Sequence, residues 1–419
     1  MPNTKKEHEP DEKNPFIKQT IIEDNKDRNK KVISAACLAI VFGMVAGPSM
    51  AFTSHIINKN ILSKKTKTTI EIPKEETTVE SSEEVESSEH VEDIVASAIE
   101  SIDLNEKNLV QMYESLSKVA EKKDNTIVKI SAVTTDTDWF NNTLQNESSC
   151  SGIIIAKSGD SLIVLAPNME KEGGIKVGFY DGSNQEATVI GSDQLTNLMI
   201  LSVDISSMEE KIKSIEPVVL GNSYQLKKGA FILAVGSPVG VSRSIDIGNI
   251  TAIDKNASFF DGYGRVIYCD KHLDSIGTFL LDTSGNLVGV VSNLDDSSSI
   301  SMAYGISDLK VLIENMTNGV GSAYLGVRAL DIDKDKAPEG MPSGIYVSEV
   351  RTDSPAYNIG IQSGDIISMI GSEEVNSITG FKNIMEKLKP NQVVNIKVNR
   401  SGKDGFSELN FETTIGARS

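Results

Sequence analysis

Apolar positions are spread unevenly along this chain, and their period changes from one region to the next. Residues 1–31 are polar, with acids and bases nearly balanced, and predict an unstructured tail. From Val32 to Phe52 the sequence VISAACLAIVFGMVAGPSMAF carries no charge over 21 residues. At a rise of about 1.5 Å per residue it spans the roughly 30 Å hydrocarbon core of a bilayer and predicts a transmembrane helix. Ser49-Met50-Ala51 has the small-x-small form of a cleavage site, but the long polar stretch before it favours an uncleaved anchor. Five bases (Lys18, Lys26, Arg28, Lys30, Lys31) precede the span within 15 residues and four (Lys59, Lys64, Lys65, Lys67) follow it. That asymmetry is small and favours a cytoplasmic N-terminus, with the main domains outside. Gly43 and Gly47 have the spacing of helix-dimer motifs.

Residues 53–103 are Lys/Thr-rich and then Ser/Glu-rich, and predict a spacer. Leu109, Met112, Leu116 and Val119 then recur at three- and four-residue intervals, the signature of a helix. After Asn125 the pattern becomes a series of short β-type runs: TIVKISAV, SGIIIAK, SLIVLA, GIKVGFY, EATVIGS, LMILSVDI, AFILAVG, SIDIGNITAI, RVIYC and LVGVVS. With Gly, Asn, Asp and Ser between them, they read as antiparallel strands, and the length to Asn315 suits two small barrels better than one. The last hundred residues form a separate α+β unit. Strands lie near GIYVSEV and DIISMI, a helix around Gly380 to Leu388, and a closing pair at VVNIKVNR and SELNFETT.

Composition narrows this picture. The 419 residues allow two or three folded units, and 39% hydrophobic residues can furnish their cores. Lys and Arg number 41 against 59 Asp and Glu, a net charge of −18. Nine of those carboxylates fall between Glu75 and Asp93 with no base among them, so half the net charge sits on a solvated, self-repelling linker. An acidic chain with 5% aromatic residues and one Trp (Trp139) is not a nucleic-acid binder. Cys37, Cys150 and Cys269 lack the paired spacing of a zinc site. Cys150 and Cys269 are free to pair if both lie outside the cell, though two lone thiols are the commoner arrangement. No cluster has metal-ligand spacing and no Gly-rich run reads as a phosphate loop, so neither metal nor cofactor is expected.

From about Ile127 to Gly416 the chain resembles the HtrA/Deg family, in which a chymotrypsin-like protease domain precedes a PDZ domain. Ser151-Gly152-Ile153-Ile154-Ile155 resembles the strand leading to the family's catalytic His, and Asp193 to Leu201 the segment around its catalytic Asp. Gly221-Asn222-Ser223, Ala234 to Gly240, Gly248-Asn249-Ile250-Thr251-Ala252, Gly285 to Val290 and Ala303-Tyr304-Gly305-Ile306 follow in the family's order. The PDZ likeness rests on Tyr324-Leu325-Gly326-Val327, Ser354-Pro355-Ala356, Gly360-Ile361 and Gly364-Asp365-Ile366-Ile367. The resemblance implies a mainly β protein: a two-barrel chymotrypsin-like domain over 104–320, a PDZ domain over 321–419, and one N-terminal membrane helix. It also implies oligomers, of this chain alone or mixed with active relatives.

The same alignment places Asn168 where the His belongs, Asn197 where the Asp belongs and Ile276 where the nucleophilic Ser belongs. Acyl transfer needs a base near pKa 7 to take the hydroxyl proton, and an Asn amide is not one. Of four His (His8, His55, His90, His272), only His272 belongs to the barrel region. Ser275 and His272 are the fallback pair, but a His three residues away on one tight loop is poorly aimed for this work. Asp274 replaces the Gly that helps form the oxyanion hole, and its carboxylate would repel the developing charge. The expectation is loss of proteolysis.

The PDZ equipment is intact. By resemblance Tyr324, Leu325, Gly326 and Val327 offer backbone N–H groups to a terminal carboxylate, and a peptide adds as a strand beside Gly326–Ala329. Phe381, Ile384 and Leu388 would form the far wall, although the same spacing also marks a core-facing helix. The expected protein is a membrane-anchored scaffold or sensor for protein C-termini or exposed peptides. The rival is a working serine endopeptidase of envelope protein quality control.

Overall fold

The computed structural model describes residues 69–74, 106–137, 143–169, 174–270, 277–291, 302–333, 335, 337–403 and 405–418. The expected tail, the span at 32–52 with Gly43 and Gly47, most of the spacer, and the 271–276 segment lie outside them. Among the described residues no helix is long and apolar enough to cross a membrane.

Helix α1 (Glu106–Lys123) leads into a closed barrel of six antiparallel strands. These are β1 (Ile127–Thr137), β2 (Thr143–Ser158), β3 (Ser161–Pro167), β4 (Ile175–Gly178), β5 (Asn184–Asp193) and β6 (Leu198–Asp204), in the order β1-β2-β3-β6-β5-β4. The unbroken apolar runs of the sequence have a simple cause: both faces of the strands are buried. Val128, Ile154, Leu162, Val164, Met199 and Leu201 fill the barrel. Their neighbours Ile127, Ile153, Ile163, Leu165 and Ile200 instead face a second cluster, shared with α1 and with residues 218–316. Register shifts at Ile154/Ala156 and Val189/Gly191 are the bulges that let β2 and β5 bend around the barrel.

A one-turn helix α2 (Glu210–Lys213) precedes the second barrel: β7 (Phe231–Gly236), β8 (Ser244–Phe259), β9 (Gly262–Cys269), β10 (Thr278–Leu281), β11 (Leu287–Val291) and β12 (Met302–Gly305). Its order is β10-β11-β12-β9-β8-β7. The apolar runs did not single out β10: it has only four residues, all buried, without a polar face to reveal a period. Helix α3 (Ile306–Asn318) follows, with Leu309, Leu312, Ile313 and Met316 buried in the shared cluster.

Helix α1 packs from Met112 onward and not through its first turn. Leu116 and Ala120 are buried and Val119 partly so, while Leu109 at the head of the expected stripe is exposed. The expected spacer is corrected at residues 69–74, which lie on α3. Ile70 and Ile72 pack against the shared cluster. The Ile70 N–H donates to Asn318 Oδ1 at 3.0 Å, and Asn318 Nδ2 donates to the Ile70 carbonyl at 2.9 Å. Lys74 pairs with Glu314 at 2.9 Å. Two Ile at alternate positions in a polar run are enough to dock an extended segment.

The C-terminal unit contains β13 (Ser322–Tyr324), β14 (Val327–Asp331), β15 (Ile345–Val350), α4 (Pro355–Asn358), β16 (Ile366–Ile370), β17 (Glu373–Glu374), α5 (Ile378–Lys387), β18 (Val393–Gly402), β19 (Gly405–Thr414) and β20 (Gly416–Arg418). The main sheet runs β14-β15-β16-β18-β19, with β17 beside β16 and a separate β13–β20 ribbon. Its core includes Leu325, Val327, Ile345, Ile367, Phe381, Ile384, Ile396 and Val398. Ser377 caps α5, its hydroxyl accepting from the Gly380 N–H at 3.1 Å.

Candidate functional site

Two strand ends bring the first pair of candidate residues together. The β3–β6 register pairs Pro167 with Leu198, which places Asn168 and Asn197 opposite each other one step further on. The Asn168 N–H donates to the Asn197 carbonyl at 2.9 Å. Asn197 takes φ +53°, a left-handed conformation that Asn tolerates better than most residues. Asn168 Oδ1 is buried and has no hydrogen-bond partner among the described residues.

A buried anchor holds the Asn197 turn. Asp193 Oδ2 accepts from the Thr196 N–H at 2.8 Å and from Thr196 Oγ1 at 2.5 Å. Arg418, on β20 of the C-terminal unit, grips the same carboxylate with two parallel bonds: Nε to Oδ1 at 2.8 Å and Nη2 to Oδ2 at 3.0 Å. The Asp193 side chain has no exposure. Sequence reading assigned it no role, because Asp193 and Arg418 are 225 positions apart.

Small residues meet where β2 of the first barrel touches the end of β7 of the second. Ser151 Oγ lies 2.7 Å from Ser237 Oγ and 3.0 Å from Ser242 Oγ. Gly277, which follows Ile276 in sequence, has φ +91°, and a Cβ there would stand 2.7 Å from the Ser151 carbonyl oxygen. Only Gly fits this crossing. Cys150 Sγ contacts Met169 Sδ at 3.4 Å, tying the chain beside Ser151 to the chain beside Asn168. Cys150 and Cys269 are both free thiols, and burial pushes each up to about 12. Cys150 is therefore a packing residue here, not a thiolate nucleophile. His272, Asp274, Ser275 and Ile276 lie outside the described residues, as do the other three His, so no imidazole stands near Asn168 among the described residues.

The second candidate site is the turn Tyr324–Val327. Gly326 has φ +87°, and a Cβ there would meet Ser354 Cβ at 2.2 Å, so the turn requires Gly. Its N–H groups already have a partner. Leu325, Gly326 and Val327 all donate to the carboxylate of Asp261 at 2.8–3.0 Å. Asp261 sits at the tip of the β8–β9 hairpin of the second barrel. Burial pushes its carboxyl above the usual carboxylate range, against the pull of the three N–H groups and of Arg418. On α5, Phe381 and Ile384 are buried in the core of this unit and Leu388 packs partly against it. Tyr324 is partly buried. The structure thus brings the turn and α5 to one place, and adds Asp261, whose Asp-Gly sequence reads only as a hairpin turn.

Two closed six-stranded barrels, followed by a sheet with a carboxylate-binding turn, define a trypsin-like peptidase fold joined to a PDZ domain. Residues 150–290 match the trypsin-like peptidase domain and residues 323–411 the PDZ domain. Serine endoprotease DegS of Haemophilus influenzae is 30% identical over 277 residues, covering 63% of this chain and 76% of that one. The chain belongs to the HtrA/Deg family of trypsin-like peptidases with a C-terminal PDZ domain. Serine protease Do-like HtrA of Bacillus subtilis is 28% identical over 288 residues, and the matched stretch spans 63% of that relative's length. Among solved structures, HtrA-type protease AlgW with tripeptide is 25% identical with a TM-score of 0.50, covering 73% of this chain and 97% of that one. AlgW with decapeptide, at 23% identity and a TM-score of 0.53, covers 73% and 99% and shares the fold.

Proposed function

We propose that this chain is a catalytically silent member of its family, anchored in a membrane by residues 32–52, which uses its PDZ domain to bind exposed protein termini. The observation that carries the reading is the backbone bond that pairs Asn168 with Asn197, the two residues that the sequence resemblance aligns with the family's base and orienting acid. An amide neither takes a proton from a hydroxyl at neutral pH nor stabilises an imidazolium. Ile276 at the nucleophile position and Asp274 at the oxyanion position act in the same direction.

The turn Tyr324–Val327 supports the binding half: it aims three N–H groups at a carboxylate. AlgW, of similar fold, has been solved with a tripeptide. The relatives named as serine proteases support a second reading, proteolysis by Ser275 with His272.

The two readings part in one assay. The full-length protein in detergent is treated with a fluorophosphonate probe and supplied with unfolded casein. The expected result is no labelling and no cleavage above buffer. Labelling at Ser275 that disappears in Ser275→Ala would establish the protease instead.

A further inference from the structure

The N–H groups that a captured terminus would use are spoken for. Leu325 donates to Asp261 Oδ2 at 2.8 Å, Gly326 to Oδ1 and Oδ2 at 2.8 and 3.0 Å, and Val327 to Oδ1 at 3.0 Å. Both oxygens are engaged, and Asp261 is 5% exposed. The likeness to a bound peptide continues along the backbone. The Asp261 N–H donates to the Val327 carbonyl at 2.7 Å, and Phe260 bridges Arg328 in the antiparallel sense. Ser258 Oγ donates to the Ala329 carbonyl at 2.7 Å. The hairpin therefore lies along the edge of β14 that β15 leaves open, the edge a peptide strand would extend.

The opposite wall is engaged as well. Tyr263 packs against the core of the PDZ domain, and Thr379 Oγ1 on α5 lies 3.1 Å from its hydroxyl. Lys382 Nζ sits 5.1 Å from the Tyr263 ring centre and bonds Asp308 of α3 at 3.0 Å.

We propose that Asp261 is a built-in ligand of the PDZ carboxylate site, closing the groove against the second barrel, and that a free chain terminus enters only by displacing it. A turn at this point needs no acid, since Asn or Gly satisfies φ +61° as well as Asp does. A carboxylate is the group that can accept from three converging N–H groups with two oxygens. Without it those donors would be buried and unpaired. A competitor must supply an equivalent acceptor, which selects an extended peptide with a free C-terminal carboxylate over an internal loop. Self-occupancy also lowers the apparent affinity of any such peptide in proportion to the closed fraction. The competition half rests on the peptide-binding reading above, and the self-ligation half does not.

The test compares full-length wild type with Asp261→Ala and Asp261→Asn by hydrogen exchange. All three proteins are also applied to an immobilised pool of random hexapeptides, with free or amidated C-termini. The variants are expected to exchange the amides of Leu325, Gly326 and Val327 about tenfold faster or more, while Ile366–Ile370 stays protected. They are also expected to retain free-carboxylate peptides about tenfold more strongly than wild type, with no gain on the amidated pool. If Asp261→Ala loses protection throughout the PDZ domain, Asp261→Asn carries the comparison, since it keeps the size and turn preference. Unchanged protection of the three amides in both variants overturns the self-ligation. Equal peptide retention by wild type and variants overturns the competition. Faster exchange with no peptide retained by any form upholds the internal ligand and removes the peptide-binding function.

Discussion

Asn168 and Asn197 are joined backbone to backbone, N–H to carbonyl at 2.9 Å, across the ends of β3 and β6. The relationship is set by strand register and not by side-chain chemistry, so it survives whichever side chains the two positions carry. The backbone thus brings the two positions together independently of the side chains mounted on them.

That separation can be tested by restoring the chemistry. In fluorophosphonate labelling, Asn168→His and Asn197→Asp are each expected to leave the protein unlabelled, alone or together. Combined with Ile276→Ser they should produce labelling at position 276 and raise casein hydrolysis by about a thousandfold over background, well short of a native enzyme because Asp274 remains. Labelling in the Asn168→His single variant would mean that a nucleophile is already poised.

The Arg418–Asp193 fork predicts a large stability effect from a residue next to the chain's last. Arg418→Ala leaves a carboxylate with no exposure facing no cation, and should cost about 3–5 kcal/mol in urea unfolding. Arg418→Lys keeps the charge but loses one of the two parallel bonds, so it should recover only part of the loss. A drop below roughly 0.5 kcal/mol for Arg418→Ala would place the pair among surface ion pairs.

The buried Cys269 and the half-buried Cys150 predict both reactivity and pH dependence. Cys150 and Cys269 rise from an ordinary value of 9.0 to about 12 on burial. A disulfide reagent at pH 8 should therefore modify them slowly in the folded protein and at once in denaturant. The sign for stability follows from linkage. Below pH 9 both states hold the proton and nothing changes. Above it the unfolded thiols ionise while the folded ones do not, so stability falls as pH rises from about 9 towards 12. Replacing both residues with Ser should flatten the thiol part of that decline. Rapid native labelling of both would contradict their burial.

Much of the fold was legible because burial on both strand faces leaves apolar runs, as in Leu162–Ala166 and Leu287–Val291. Ordered short motifs singled out Asn168 and Asn197, which the β3–β6 register brings side by side. The failures have physical reasons. Thr278–Leu281 was too short to show a period, and the docking of Ile70 was hidden in a run that composition marks as spacer. Asp261 was invisible for a different reason. Asp-Gly is a turn signal wherever it occurs, and the carboxylate's partners lie 64–66 residues away.

Asp193 Oδ2 answers to two masters, since it accepts at once from Thr196 and from Arg418. The C-terminal unit is thereby leashed to the strand end that carries Asn197, at a point separate from the Asp261 contact. A protein tail that prised the hairpin out of its groove would leave this leash fastened. The arrival of a tail would therefore leave the C-terminal unit tied through Arg418 to the rim of the first barrel.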